Sequence, residues 1–217
     1  MAHPYWPLFD LRLTIAELEL RPMTEADLLP LADLLPDDLE LDPEATRYSG
    51  LNEATGRRVI GFQHYWRSYG TWQPQHWRLP FCVRAGAELV GVQELEGEDF
   101  PLLRTVDSSS HLVPEVRGRG IGQRMRRAVL ALAFGPLQAQ AAVTSAWQDN
   151  HASLGVSRAL GYLPNGESLH ARGEQADTML HLRLRRADWL AADGGAGVSI
   201  EGFEPCRPYF GLETPHR

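Results

Sequence analysis

Between Arg117 and Gly122 the chain reads Arg-Gly-Arg-Gly-Ile-Gly, three glycines and two arginines in six residues. Glycine lets backbone N–H groups come close to a ligand, and a helix starting near Gly122 would aim its positive end at the same place. The chemistry implied is the binding of an anion such as a phosphate. The spacing, Arg-x-x-Gly-x-Gly, is neither the dinucleotide fingerprint nor a P-loop, since no Gly-Lys-Ser/Thr follows. A second group of polar residues lies further on. Asn150 has the side chain of a helix N-cap, and Ser153 follows in the first turn of that helix. Glu94 and Asp107 are carboxylates on predicted strands, and His111 lies on the strand that leads into the glycine turn. Such groups can move protons.

The elements that must position these residues follow from the hydrophobic pattern. Leu11, Leu13 and Ile15 alternate with polar residues, as do Leu18 and Leu20, and the parity flips at Ala16-Glu17, so two strand segments with a turn or bulge are expected. Thr24 reads as an N-cap with Glu25 and Asp27 in the first turn, and Leu28, Leu31, Ala32 and Leu35 give that helix an apolar face up to Pro36. An acidic loop, 36–52, precedes a second helix from Glu53 to Tyr69. The tryptophans of 72–77 read as lids over a core. A hairpin is predicted over 79–84 and 88–95, then one continuous strand from Thr105 to Val113. The helix Gly122–Phe134 has Met125, Ala128, Val129 and Leu132 on one face, with Gln123, Arg124, Arg126 and Arg127 pointing elsewhere. Ala142–Trp147 is a buried strand, 150–160 a helix ended by Gly161, and Leu180, Leu182 and Leu184 mark a later strand. A glycine-rich stretch, 193–197, sets off a tail whose Phe203, Cys206, Tyr209 and Phe210 call for a packing surface.

Composition narrows the classes. The chain has 217 residues, 43% hydrophobic and 23% charged, which suits one soluble globular core. Its net charge of −7 argues against nucleic-acid binding. Acids from Glu25 through Asp27, Asp33, Asp37, Asp38, Glu40, Asp42 and Glu44 stand almost without bases, and that field would be a solvated surface or would attract a cationic partner. Cys82 and Cys206 form neither a disulfide framework nor a metal-spaced set, so a cytoplasmic location and no metal are expected. No uncharged apolar run approaches the ~20 residues of a membrane span, and the first ten residues do not read as a signal peptide.

The order strand, helix, helix, hairpin, strand, glycine turn, helix, strand, helix, strand resembles the GNAT superfamily of acyl-coenzyme A N-acyltransferases, and Arg117–Gly122 looks like its pyrophosphate turn. The stretch 147–162, Asn-x-x-Ser-x-x-Val-x-x-x-x-Gly-Tyr from Asn150, is similar to the helix pattern of the RimJ/RimL branch. The resemblance covers about 11–184 and implies an α/β (α+β) fold, a mixed twisted sheet flanked by helices. It divides the chain into an acyltransferase domain, 1–190, and a tail, 191–217, packed on that domain or on a neighbouring subunit. It implies coenzyme A as cofactor, with the pyrophosphate on Arg117, Gly118, Arg119, Gly120, Ile121, Gly122 and Gln123. Arg124 or Arg127 would serve the 3′-phosphate, and His111, Leu112, Val113 and Asn150 the pantetheine arm. Ser153 also touches the cofactor and would protonate the leaving thiolate, because Ser157 stands where many members carry a tyrosine for that role. Glu94 is preferred as base, with Asp107 and His111 also in reach and a water chain able to replace any of them. The residues 6–12, 90–93, 99–101, 202–203 and 206–208 resemble a subgroup that transfers succinyl groups. A succinyl carboxylate would need a partner among Arg57, Arg58, Arg67, Arg78, Arg172, His64 and His76. The implied reaction moves an acetyl or succinyl group from acyl-CoA to a primary amine of a protein N-terminus, a lysine or a small molecule, in a homo-oligomer. The other reading is a CoA-binding regulatory module.

Overall fold

Two antiparallel strands, β1 (Arg12–Ile15) and β2 (Leu18–Pro22), open the sheet, and the parity flip between them is a tight turn through Ala16, whose φ is 49°. The computed structural model describes residues 3–39 and 45–212; Glu40, Asp42, Glu44 and the last five residues lie outside the described residues. The Asp27 carboxylate accepts from Thr24 N (2.9 Å) and Thr24 Oγ1 (2.7 Å), starting a 3₁₀ turn that runs into α1 (Leu28–Asp33). α2 (Glu53–Gly70) is capped by Asn52, which accepts from Thr55 N. β3 (Trp77–Ala85) and β4 (Glu88–Gly97) form the expected hairpin, each a little longer than its alternation suggests. Phe100 and Pro101 start the short α3 (Phe100–Leu103), with Asp99 at its N-cap.

The single strand predicted over 105–113 is two. β5 (Thr105–Asp107) pairs with β4 and runs parallel to β7 (Ala141–Trp147), whereas β6 (Ser110–Leu112), among the described residues, pairs with β4 alone. Ser108 and Ser109 interrupt the strand, and Val113 has left it. α4 (Ile121–Phe134) and α5 (His151–Ala159) follow the glycine turn and β7. β8 (Leu163–Arg172), which the sequence pattern does not announce, pairs with β9 (Gln175–Arg185) at the sheet edge. Its residues are almost all exposed, so no burial imposes an alternation on it. α6 (Arg186–Ala191) leads to β10 (Val198–Glu201), which pairs with β1 at the opposite edge. The strand order is β10-β1-β2-β3-β4-β5-β7-β9-β8, with β6 beside β4.

The main core lies between the sheet and α4. Met125, Ala128, Val129 and Leu132 meet Leu13, Leu20, Leu79 and Leu95 there. Trp77 and Phe210 join the same core, with Trp6 and Trp72 packed against it, and Trp72 Nε1 donates to Tyr209 O (2.8 Å). The tryptophans of 72–77 are thus packing residues that clasp both ends of the chain. A second, smaller cluster fills the other face of the sheet, where Met23, Leu28, Tyr65, Cys82 and Val92 lie beneath α1 and α2. Among the described residues no helix is long and apolar enough to cross a membrane.

Candidate active site

Because β6 follows β4 and not β7, the sheet splits between β6 and the far half of β7. The slot has a closed root, where Thr144 Oγ1 donates to Ser108 O (3.3 Å). Among the described residues its two edges are β6, free on the side away from β4, and the Thr144–Trp147 half of β7, paired only with β9. Strand edges with unpaired N–H and C=O groups accept an extended, amide-bearing chain. Gly91 makes the close β4–β6 approach possible, since a Cβ there would lie 2.3 Å from His111 O.

The mouth of the slot is the glycine turn. Gly118 and Gly120 have φ of 76° and 75°, and Gly120 is the N-cap of α4. The first backbone bond at the start of α4 runs from Arg124 N to Gly120 O (3.2 Å), so the N–H groups of Ile121, Gly122 and Gln123 precede the intrahelical ladder and are available to an anion. Gly118, Arg119, Gly120 and Gln123 are exposed, while Ile121 and Val113 are buried and pin the turn to the core. Gly122 lies against α5, where a Cβ would come within 3.4 Å of Val156 Cγ2. Arg117 is engaged: it donates to Leu112 O (3.1 Å) and to both oxygens of Asp38 (2.5 and 2.9 Å). Arg124 pairs with Glu17 (2.9 Å).

Asn150 caps α5 by accepting from Ser153 N (3.0 Å), as its residue type suggests. The cap uses the backbone of Ser153 and leaves its hydroxyl without a partner among the described residues. Ser157, one turn on, is buried and donates to Ser153 O (3.0 Å).

The two faces of the sheet around the slot differ. On the α4 face lies Arg126, which the sequence pattern turned outward; it is instead buried, only 3% exposed. Its Nη1 donates to Ser157 Oγ (2.9 Å) and its Nη2 to Ser110 Oγ (3.3 Å), so hydroxyls from α5 and β6 replace water around the guanidinium. Arg126 Nε, Ser108 Oγ and Tyr162 Oη are buried without a partner among the described residues. Burial pushes the Tyr162 hydroxyl up to about 12.

On the α2 face, Glu94 accepts from His64 Nε2 (2.6 Å) with one oxygen and from Ser109 Oγ (3.0 Å) with the other. Burial alone would raise its carboxyl, but the His64 hydrogen bond, with His64, Arg78 and Ser109, overcomes that and holds it below its ordinary range. Glu96 pairs with Asp107 and Arg78 in the register and so shares this face, and Arg78 binds Glu96 (2.6 Å). Asp107, though it accepts from Ser108 N (2.6 Å), is pushed by burial up to about 6. His111 is lowered, chiefly by burial, and so is neutral near pH 7.

The structure thus gathers Glu94, Asp107 and His111 at one face of the slot, the glycine turn at its mouth, and Asn150 and Ser153 at the start of the neighbouring helix. Two residues whose place here the sequence does not announce are His64 and Arg126. Neither carries a motif; His64 is a polar residue on a weakly periodic helix, and Arg126 follows a core methionine. The cations offered for a succinyl carboxylate are mostly occupied. Arg57 donates to Pro36 O and Leu39 O, Arg58 to Ala32 O, Arg78 to Glu96, and Arg172 binds Asp149 and Asp177. His64 holds Glu94 and His76 lies between Glu98 and Asp99, while Arg67 is exposed at the end of α2.

The fold has counterparts among known proteins. The RimJ of Mycobacterium smegmatis, solved in complex with CoA-disulfide, superposes with a TM-score of 0.63 at 17% identity, covering 86% of this chain and 96% of that one. A putative acetyltransferase from T. thermophilus gives 0.66 at 14% identity, over 85% of this chain and 93% of the other. A chimera of the spermidine N-acetyltransferase SpeG from Vibrio cholerae and hSSAT gives 0.59 at 15%, covering 81% and 99%. These likenesses establish the fold. The sequence itself matches the model of the acetyltransferase (GNAT) domain over residues 17–163, two thirds of its length, from β2 through the glycine turn and α5. The chain belongs to the GNAT acetyltransferase family.

Proposed function

We propose that the protein is an acyl-CoA-dependent N-acyltransferase in which a primary amine attacks the thioester directly while both substrates are bound. The observation that carries this reading is the slot between β6 and β7, open at its edges and ending on the N-terminus of α4. In this reading the N–H groups from Gly118 to Gln123 hold the pyrophosphate, with Arg119 adding charge. The pantetheine arm pairs with His111, Leu112 and Val113 along the β6 edge, and Asn150 reaches its amide. Such an arm, running from the mouth toward Ser109, brings its thioester to the root of the slot. Ser153 supplies a proton to the leaving thiolate, which has a pKa of about 8.5 and needs little help. The fold contributes orientation and a fixed set of donors.

Acetyl is the donor group this site favours. A succinyl donor would bring a carboxylate that must be paired when desolvated, and most of the cations suggested for it already hold carboxylates or carbonyls. The acceptor is read as a cationic amine, drawn by the acids near α1 and by the net charge of −7. A polyamine, a lysine side chain and a protein N-terminus all meet that description.

The test is release of free thiol from acetyl-CoA and from succinyl-CoA against spermidine, a lysine peptide and a peptide with a free N-terminus, with mass analysis of the products. An acetylated amine formed above the no-acceptor control supports the reading. Tight CoA binding with no release from either donor would favour the regulatory module, and a succinyl adduct alone would reverse the donor assignment.

A further inference from the structure

We propose that His64 is the base that deprotonates the amine, and that Glu94 is the residue that positions it. This rests on the acyltransferase reading above and deepens it.

The geometry is that of a carboxylate holding an imidazole. His64 Nε2 lies 2.6 Å from Glu94 Oε1 on the α2 face of the sheet, and the other carboxylate oxygen is fixed by Ser109 Oγ at 3.0 Å. The Glu94 backbone N–H is tied to Ser109 O as well, at 2.8 Å. The carboxylate is therefore fastened at the break in the strand, at the root of the slot, where the arm would deliver the thioester. An ionised carboxylate only accepts, so Nε2 carries the proton and Nδ1 carries the lone pair. Among the described residues Nδ1 has no hydrogen-bond partner. The imidazole is 35% exposed against 12% for the carboxylate, so His64 is the member of the pair that solvent and an acceptor can reach.

Glu94 is poorly suited to take the proton itself. It already accepts two hydrogen bonds, and its partners hold it below the ordinary carboxylate range, far from the pKa of an ammonium. The remaining charged and titratable groups around the pair are Arg78 on β3, Glu96 on β4, Asp107 on β5, His111 on β6 and Tyr69 on α2. Arg78 binds Glu96, and His111 is neutral.

The step balances as follows. The acceptor ammonium gives one proton to His64 Nδ1, and the freed lone pair forms the C–N bond at the thioester carbonyl. The tetrahedral oxyanion collapses with cleavage of the C–S bond. The thiolate takes a proton from the Ser153 hydroxyl, which regains one as the nitrogen gives up its second proton, leaving an amide and free CoA, and the imidazolium returns its proton to solvent.

The experiment uses the full chain with acetyl-CoA and whichever of the three amines above turns over. His64→Ala should lower kcat by about 100-fold or more, with CoA affinity by calorimetry within about twofold of wild type, and added imidazole should restore part of the rate. His64→Gln keeps an N–H for Glu94 and guards against a folding defect; it should be equally slow. Glu94→Gln should lower kcat while leaving the KM for acetyl-CoA within about threefold of wild type, because the imidazole then loses the carboxylate that orients it. A purely structural pair would not respond to imidazole and would lose kcat and substrate binding together. Activity of His64→Gln within about threefold of wild type, a slow His64→Ala that imidazole does not rescue, or a loss of kcat in Asp107→Asn as large as that in His64→Ala would overturn the assignment. An inactive wild type with every amine overturns instead the acyltransferase reading on which it rests.

Discussion

The carboxylate of Asp38 grips the guanidinium of Arg117 through two hydrogen bonds, 2.5 Å to Nη1 and 2.9 Å to Nη2, so the acidic segment after α1 is fastened to the glycine turn. The Arg117 hydrogen bond lowers the Asp38 carboxyl from its usual range. Both side chains are well exposed, 65% for Asp38 and 42% for Arg117, so the pair contributes only about 0–1 kcal/mol. If the turn binds pyrophosphate, the ligand competes with Asp38 for this arginine. Asp38→Asn should tighten CoA binding by up to about fivefold at low ionic strength, and less in salt. Calorimetry at two salt concentrations checks this; weaker binding in the variant would mean that Asp38 orients Arg117 for the ligand.

Gly120 offers a sharper probe of the turn. Its φ of 75° is a conformation that aspartate tolerates better than most residues, and nothing lies within 4 Å of a Cβ built there. Gly120→Asp should therefore fold, with a melting temperature within about 5 °C of wild type, yet lose at least about tenfold in CoA affinity through charge repulsion. Unchanged affinity in a folded variant would place the cofactor elsewhere.

Asp107 gives a pH-dependent prediction. Burial raises its folded pKa to about 6, against 3.8 as its ordinary value. A carboxyl raised in the fold penalises the native state once it must ionise. The penalty is absent below pH ~4, grows between there and pH ~6, and is constant above, on the order of 3 kcal/mol. Asp107→Asn, which can still accept from Ser108 N, should raise stability by roughly that amount at pH 7.5 and by almost nothing at pH 4. Denaturant unfolding at the two pH values distinguishes this from a pH-independent packing effect.

The α5 start separates a structural from a chemical role. Asn150→Ala removes the acceptor for Ser153 N and should cost about 1 kcal/mol of stability. Ser153→Ala keeps that bond, since it is made by the backbone, and should leave stability within about 0.5 kcal/mol. Its kcat should fall only severalfold, because a thiolate needs little protonation, and unchanged kcat at all pH values would remove Ser153 from the chemistry.

Phe210 tests the clasp between the chain ends. It is fully buried and meets Trp72, Trp77 and Phe203 edge-on or stacked. Phe210→Ala should cost about 3–5 kcal/mol, read as a lower denaturant midpoint, with the glycine turn untouched.

Residues that carry their own backbone instructions are legible in the sequence alone. Asn150 caps its helix, Thr24 and Asp27 start theirs, and the glycines of 118–122 include the two that take the positive φ such a turn requires. The core face of α4 follows from the spacing of Met125, Ala128, Val129 and Leu132. These are short-range properties, set by one residue type or by a helical period. β8 is not legible, because an exposed edge strand has no burial to impose alternation. Arg126 is misplaced by its pattern because its burial depends on hydroxyls from two distant elements.

The sequence by itself therefore determined the glycine turn, the helix starts beside it and the GNAT order of elements, all set by local geometry and periodicity. Tertiary structure alone decided that the strand breaks at Ser108–Ser109 to open a slot, and that His64 meets Glu94 across thirty residues. It also decided that Asp38 takes hold of Arg117. Each of these is a meeting of side chains or strand edges from elements far apart in the chain. No local pattern records such a meeting, because the energy that fixes it comes from the packing of the whole sheet against its helices.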